Sequence, residues 1–237
     1  MSGRSAPFPL TPPGSLTDVD VIREHDWAAF QMVDTLAEHW DRPGWRPGRA
    51  SYHWMVLTRL GAAGLNLLRH AQAGLADQPG LDLIAPDAVH LTVSRVGWES
   101  DIPAEQLPRI AAAGRAHCAD LRQFEVEVGP LAGSRGAIRF SIAPWDDLLR
   151  LHDRLRAATL DVLGESATPA PSSAFRPHLG IAYSGSAQPA RPLVQAVQAL
   201  RHLPCAREVV AAAELVRLER ADRAYLVQPL HTVRLAS

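Results

Sequence analysis

The chain has 237 residues, a hydrophobic fraction of 47% and a formal net charge of −1 with histidine neutral. Such a chain is typical of soluble globular proteins with one large domain or two small ones, and its charge excludes a protein that binds nucleic acid through a global basic field. All 24 basic residues are arginine, which excludes ATP-driven ligases and kinases that need a phosphate-loop lysine or a lysyl-adenylate.

The sequence shows no sign of a membrane or secretory protein. It has no run of about 18 apolar residues, and the N-terminal stretch MSGRSAPFPLTPPGSLT has no apolar core of a signal peptide. Cys118 and Cys205 lie far apart without a CxxC pair, so neither a disulfide framework nor a cysteine zinc site is expected. We therefore expect a cytoplasmic protein that does not bind membranes, and we expect it to be a monomer.

The N-terminal quarter reads as an extension. Residues 1–16 are rich in Pro, Ser and Gly, which predicts a disordered tail. Apolar residues at helical spacing then predict a helix with Thr17 as its N-cap that runs to Trp40. Pro and Gly end this helix and form a linker up to residue 49.

From residue 50 onward, strands and helices alternate in the same order twice. The first series has strands at 52–58, 88–96 and 124–131, with helices at 62–76 and 104–121. The second has strands at 136–143, 177–183 and 207–219, with helices at 144–163 and 191–200, and a further strand at 224–235 closes the chain.

This order predicts an α/β (α+β) fold with two similar lobes, each a β-sheet with outer helices, around a central groove. The distance from His53 to His90 is 37 residues and that from Ile138 to His178 is 40, which indicates a duplication. We expect one bilobal domain over residues 50–237, with halves at approximately 50–130 and 131–237. An exchange of terminal strands between the halves is left open.

Two strands in equivalent positions each carry a histidine. They are VHLTVSRVGW at 89–98 and FRPHLGIAYSG at 175–185. Side chains alternate between the two faces of a strand. The faces expected to line the groove therefore carry His90, Thr92 and Ser94 in one half and His178, Gly180 and Ala182 in the other, while Leu91, Val93, Arg95, Leu179 and Ile181 are expected on the core faces.

Two histidines on opposite sides of a phosphodiester can cleave a P–O bond without a metal. One takes a proton from water or a hydroxyl group, and the other gives a proton to the leaving oxygen. Neighbouring hydroxyl groups would bind the non-bridging oxygens. The ten histidines show no HExxH or other close ligand spacing, so neither a metal nor a cofactor is expected.

The motifs HLTV and HLGI, in this order of elements, resemble those of the 2H phosphoesterase superfamily, and most closely its bacterial 2′-5′ RNA ligase and cyclic phosphodiesterase branch. That family carries two H-x-(T/S)-x motifs in a bilobal duplicated α/β fold. The resemblance covers roughly residues 50–237 and includes the FRPH run and the ELVRLER…AYLVQPL ending. It implies that His90 and His178 are the acid/base pair and that Thr92 binds the phosphate.

The second motif departs from the family pattern, because Gly180 stands where Thr or Ser is expected. Water or the backbone at Gly180 can replace the hydroxyl, the glycine can make room for another substrate, or the site can bind without turnover. The phosphate contacts expected besides Thr92 and Gly180 are Ser94, Arg95, Arg176 and Tyr183. For Arg95 and Tyr183 a packing role is the alternative, and for Arg176 it is a solvated loop charge. His53 is interpreted as structural, with a place along the groove as its alternative.

The leading hypothesis is a metal-independent phosphoesterase that acts on 2′,3′-cyclic phosphate, on 2′-5′ RNA ends or on a small cyclic nucleotide. Its partner would be a small nucleotide or a short RNA end. The alternative is a protein of the same fold that binds a nucleotide or RNA end without cleaving it, which Gly180 and the near-neutral net charge favour. A third interpretation, a purely structural α/β protein, requires both histidines to be core residues.

Overall fold

The computed structural model describes residues 11–41, 44–56, 59–169 and 175–237. Its helices are α1 (Val19–Gln31), α2 (Ala62–Leu75), α3 (Gln106–His117), α4 (Asp146–Leu163) and α5 (Arg191–Leu200). Its strands are β1 (Thr35–Leu36), β2 (Ala50–Val56), β3 (Leu81–Leu83), β4 (Leu91–Trp98), β5 (Phe124–Ser134), β6 (Ala137–Ala143), β7 (His178–Ser184), β8 (Gln188–Pro189), β9 (Ala206–Val210), β10 (Ala212–Ala221) and β11 (Ala224–Arg234). No helix in the described ranges is long and apolar enough to cross a membrane.

The strands form two antiparallel sheets and one short pair. The four-stranded sheet has the order β11-β10-β2-β4, and the five-stranded sheet has the order β3-β7-β6-β5-β9. The short strands β1 and β8 pair with each other. The predicted mixed α/β fold is confirmed, and each sheet contains one of the two histidine-motif strands.

One hydrophobic core joins the two sheets and the helices. Fully buried side chains from the first sheet, such as Trp54 and Val96, belong to the same cluster as Phe140 and Ile181 from the second. The Trp54 indole N–H donates to Thr159 Oγ1 of α4 at 3.1 Å, so the largest core side chain has its polar atom satisfied. Burial of this continuous surface fixes the two sheets relative to each other.

The predicted N-terminal helix is shorter than expected. It begins after the N-cap Asp18, whose carboxylate accepts from the N–H groups of Asp20 and Val21, and it ends at Gln31 rather than Trp40. Leu36, at helical spacing in the sequence, is instead buried in β1, which pairs with β8. Tertiary pairing thus overrides helical periodicity here. Residues 1–10 of the predicted tail lie outside the described residues.

Two predicted strand boundaries are also wrong. The strand expected over 88–96 begins only at Leu91, because the Ala88 N–H closes a turn onto the Ala85 carbonyl at 2.8 Å. His90 therefore immediately precedes β4. The long strand expected over 207–219 is broken at Ala211: β9 joins the five-stranded sheet and β10 joins the four-stranded one. Residues 57 and 58, the end of the predicted first strand, lie outside the described residues.

Candidate active site

A cavity of about 430 Å³ lies between the two motif strands, and we call it the histidine cavity. All eight residues that the sequence singled out as catalytic or phosphate-binding line it: His90, Thr92, Ser94, Arg95, Arg176, His178, Gly180 and Tyr183. They come from two different sheets, and β4 and β7 contact one another. The fold therefore brings the two distant motifs to one concave site.

The two histidines are held in the same way. Nδ1 of His90 lies 2.8 Å from the Ala88 carbonyl oxygen, and Nδ1 of His178 lies 2.7 Å from the Arg176 carbonyl oxygen. A carbonyl oxygen only accepts, so each Nδ1 carries the proton that it donates. In the neutral ring Nε2 then holds the lone pair, which is the arrangement that a proton acceptor needs.

Burial favours the neutral form of both rings. It lowers the pKa of His178 to about 4, with the Arg139 guanidinium as the next cause. Burial also lowers the pKa of His90, partly opposed by the hydrogen bond to Ala88. At neutral pH both imidazoles of the unliganded protein are therefore uncharged, and a bound phosphate anion would raise both pKa values.

Arg95 lies in the histidine cavity, although strict alternation placed it on the core face. The register between β2 and β4 shifts twice, between Tyr52 and His53 and between Trp54 and Met55. These bulges break the two-residue period, so Arg95 is exposed. Its guanidinium carbon lies 4.9 Å from the ring centroid of Trp98.

A similar bulge reorders β7. Arg139 of β6 pairs with Gly180, but Ile138 pairs with Ala182, which leaves Ile181 as an extra residue. Tyr183, rather than Ala182, therefore follows Gly180 on the cavity face, and Ala182 is fully buried in the core. The prediction that Ala182 shares the face of His178 is wrong because a bulge shifts the alternation by one residue.

Two side chains border the space where a side chain of residue 180 would lie. A β-carbon at this position would lie 3.2 Å from Ile84 Cδ1 and 3.8 Å from the Tyr183 hydroxyl oxygen. The Tyr183 ring is held in place by stacking on His39, with ring centroids 3.9 Å apart. A hydroxyl group is thus present close to where the second motif lacks one.

A family model that describes the 2′-5′ RNA ligase superfamily matches residues 63–222, a range that contains both histidine motifs. The chain belongs to this superfamily. The match confirms the resemblance to the 2H phosphoesterases that the two motifs indicated. The matched range begins after α1, β1 and β2, so these elements lie outside it.

Solved structures share the fold. TT0787 of Thermus thermophilus is 23% identical, with a TM-score of 0.59 over 79% of this chain and 97% of that one. E. coli LigT complexed with 3′-AMP is 16% identical, with a TM-score of 0.59 over 80% of this chain and 99% of that one. A comparison with curated proteins gives no match. These likenesses confirm the bacterial LigT-like fold.

A buried ion pair lies beneath the second superfamily motif. Both guanidinium NH groups of Arg139 donate to the Asp26 carboxylate at 3.1 and 3.2 Å, and each side chain is at most 2% exposed. Arg139 is the strand partner of Gly180 and lowers the pKa of His178, whereas Asp26 raises it. Asp26 lies in α1, before the matched range, so the N-terminal helix contributes charge to the environment of His178.

His53 of β2 also lines the histidine cavity. Its Nε2 lies 2.6 Å from Ser51 Oγ, and its Nδ1 is buried without a hydrogen-bond partner among the described residues. Burial lowers its pKa to about 3, and the nearby His90 and Arg95 act in the same direction. His53 is therefore a neutral ring beside His90.

Sequence reasoning missed several residues of the cavity because they come from outside the motif strands. His39 and Trp45 belong to the N-terminal segment, while His152 of α4 stacks on Phe175 with ring centroids 4.8 Å apart. Tyr225 of β11 donates to or accepts from His39 Nε2 at 2.9 Å. No motif marks these positions.

The buried ion pair, by contrast, does have a signal in the sequence. Arg139 is a charged residue inside the apolar strand GAIRFSIA, which is typical of a buried ion pair.

The acids of the described ranges do not complete a metal site. In these parts of the chain, no group of three or more His, Cys, Asp or Glu side chains is arranged to hold a metal ion.

Proposed function

We propose that the chain is a metal-independent phosphoesterase that acts on 2′,3′-cyclic phosphate, on 2′-5′ RNA ends or on a small cyclic nucleotide. His90 and His178 act as its acid and base. The observation that carries the proposal is the matched setting of these two rings, which line one cavity and are each oriented by an Nδ1–H bond to a backbone carbonyl. A cytoplasmic location and a monomeric state complete the proposal.

In the proposed reaction one histidine is neutral and the other protonated. The neutral ring takes a proton from water through Nε2 as the water oxygen attacks phosphorus. The protonated ring gives its Nε2 proton to the ribose oxygen as the bond from that oxygen to phosphorus breaks. Water and the cyclic phosphate thereby become a phosphomonoester. In ligation a ribose hydroxyl attacks the same phosphorus in place of water, the same ribose oxygen leaves with the proton, and the product is a phosphodiester.

The remaining predicted residues bind the phosphate in this scheme. Thr92 donates its hydroxyl proton from the first motif, and Tyr183 supplies the hydroxyl that Gly180 lacks. Ser94 lines the same wall, and Arg95 and Arg176 provide positive charge near the non-bridging oxygens. Donors that point to developing negative charge stabilise the transition state more than the ground state.

Ligands of a structural neighbour are of the proposed class. E. coli LigT has been crystallised with 3′-AMP and with phosphate. These are a nucleotide phosphomonoester and the inorganic anion of the reacting group. A cavity of about 430 Å³ falls in the range of about 300–1,000 Å³ typical of small-ligand sites.

The test is hydrolysis of a panel of 2′,3′-cyclic nucleotides in EDTA by the wild type, His90→Ala and His178→Ala. We expect turnover that survives the chelator and falls by roughly 10²–10⁴ in each variant, the range of general acid–base catalysis. His202→Ala is the matched control, because His202 also bonds its Nδ1 to a carbonyl, that of Ala199 at 2.7 Å, but lies outside the histidine cavity. Turnover retained by both cavity variants would contradict the mechanism.

A second candidate is a protein that binds a nucleotide or RNA end without turnover. Gly180 favours it, because one hydroxyl of the second motif is missing. Binding of 3′-AMP by the wild type with no hydrolysis across the panel would support this candidate, and recovery of hydrolysis in Gly180→Thr would then show a site that lost its hydroxyl.

A further inference from the structure

A second cavity lies beside the histidine cavity. Its volume is about 410 Å³, and Trp45 lines both cavities. One wall comes from the segment that follows β1, with Trp40, Trp45 and Arg46, and the other from residues 219–223 at the β10–β11 turn. Trp45 therefore lies at the boundary between the two cavities.

Aromatic rings connect the two cavities. The Arg220 guanidinium carbon lies 5.0 Å from the ring centroid of Trp40 and 5.2 Å from that of Trp45. It also lies 5.8 Å from the Tyr225 ring, whose centroid is 6.3 Å from that of His90. Indole rings and guanidinium planes are the surfaces on which proteins stack unpaired nucleobases.

The rim of the second cavity offers a cation. Glu219 is bonded to Arg217, Arg223 is bonded to Asp82, and Asp222 is a further acidic residue that lines this cavity. Arg46 is exposed and forms no ion pair within 4.0 Å in the part of the chain that the structure describes. Its guanidinium is therefore available for a phosphate group that enters with a base.

We propose that the second cavity binds the nucleotide next to the reacting phosphate, so that the preferred substrate is an oligonucleotide end rather than a mononucleotide. The base stacks against Trp40 and Trp45, and its phosphate pairs with Arg46. This inference rests on the proposed function, since it assigns the reacting phosphate to His90 and His178. Trp40, Trp45 and Arg46 precede residue 63, where the superfamily match begins, so the residues proposed to contact the base and its phosphate come from the N-terminal segment of this chain.

The experiment compares adenylyl-(3′-5′)-adenosine 2′,3′-cyclic phosphate with adenosine 2′,3′-cyclic phosphate. The readout is the ratio of their kcat/KM values, which cancels effects that the two substrates share. Base–aromatic stacking contributes roughly 5- to 150-fold in affinity. We expect the wild type to favour the dinucleotide by about tenfold or more, within that range.

Three variants test the named contacts. We expect Trp45→Leu to reduce the ratio to about 1–2, Trp45→Phe to retain part of it, and Arg46→Gln to reduce it several-fold, on the order of the loss of one stacked or paired group. Trp27→Leu and Arg69→Gln are the matched controls, because these residues line neither cavity. Each control is expected to keep the wild-type ratio.

A wild-type ratio close to 1, or a ratio that Trp45→Leu leaves unchanged, overturns the subsite. If neither substrate is hydrolysed, the proposed function fails while the subsite is still testable by quenching of tryptophan fluorescence. Adenylyl-adenosine 3′-phosphate should then bind about tenfold more tightly than adenosine 3′-phosphate, a difference of about 1.4 kcal/mol. Equal dissociation constants would overturn the subsite in that case too.

Discussion

Gly180 and Tyr183 face the histidine cavity together, and the Tyr183 hydroxyl oxygen lies 3.8 Å from the position that a β-carbon of residue 180 would occupy. The relationship depends on the bulge at Ile181, without which Tyr183 would point to the opposite face. A tyrosine that reaches back over a glycine can thus take the place of a threonine hydroxyl.

If the Tyr183 hydroxyl binds the phosphate, Tyr183→Phe should lower kcat by roughly 10²–10³, as the loss of one donor to a developing anion does in other enzymes. Steady-state hydrolysis of a 2′,3′-cyclic nucleotide measures this. Tyr52→Phe is the control, because the Tyr52 hydroxyl bonds to Glu99 outside the cavity. Adding Gly180→Thr to Tyr183→Phe should restore much of the lost rate, with Ile84→Val included to relieve the 3.2 Å approach of Ile84 Cδ1. An unaffected kcat in Tyr183→Phe would assign the ring to packing.

Asp26→Asn should destabilise the fold strongly. It leaves the buried Arg139 guanidinium without its counter-ion, and breaking a buried pair in this way costs about 3–5 kcal/mol. Chemical denaturation measures the loss. Glu127→Gln breaks the Arg23–Glu127 pair, whose side chains are 18% and 33% exposed, and should cost less than about 1 kcal/mol. Equal losses in the two variants would contradict the buried-pair argument.

The same substitution should also change the pH dependence of activity. Asp26 raises the pKa of His178 and Arg139 lowers it, so loss of the carboxylate lowers this pKa further. The limb of the kcat/KM profile that reports His178 should therefore move to lower pH in Asp26→Asn. A limb that stays in place while stability falls would mean that the ion pair supports the fold alone.

The pH profile of the wild type should have its kcat/KM maximum below pH 6.5. Productive enzyme has one histidine protonated and one neutral, and the free-enzyme pKa of His178 is about 4 while that of His90 is lowered from 6.5. Activity should fall above the higher pKa, as the acid is lost, and below the lower one, as the base is protonated. The kcat profile should lie at higher pH because the bound phosphate raises both pKa values. A kcat/KM that rises through pH 7–8 would contradict this assignment.

His53 should make the fold sensitive to acid. Its pKa is about 3 in the folded protein against an ordinary pKa of 6.5, so the unfolded chain binds the proton more tightly. The stability that the neutral His53 ring allows is therefore fully present above pH 6.5, and the free energy of unfolding declines as the pH falls below this value. When the pH falls from 6.5 to 4, the free energy of unfolding should decrease in the wild type by on the order of 3 kcal/mol more than in His53→Gln, at about 1.4 kcal/mol per pKa unit. Parallel stability curves for the two proteins would show that His53 does not titrate in this way.

The placement of the motif residues in one cavity could be predicted because it depends on the order of the strands along the chain. His90, Thr92 and His178 needed only the alternation of a strand and the repeated order of elements. Arg95 and Tyr183 show the limit of that reasoning, since their orientation depends on bulges in β4 and β7. A bulge is decided by the partner strand, which lies far away in the sequence.

The environment of the site was less accessible from sequence for a related reason. Asp26 and Arg139 are 113 positions apart, yet they form one buried pair. Leu36 follows helical spacing but pairs with β8 through long-range contacts. These features arise when distant segments are packed together, and no single window of sequence contains both partners.

The position of β10 between β2 and β11 has a consequence for how the protein is made. In the four-stranded sheet β2 pairs with β4 on one side and with β10, residues 212–221, on the other. The sheet next to His90 is therefore not fully paired until most of the chain has left the ribosome. Pairings of such high contact order form slowly. Until β10 has been made, β2 keeps an unpaired edge that is prone to aggregation. A polypeptide that ends before β10 would therefore lack the assembled site even though both histidines are present.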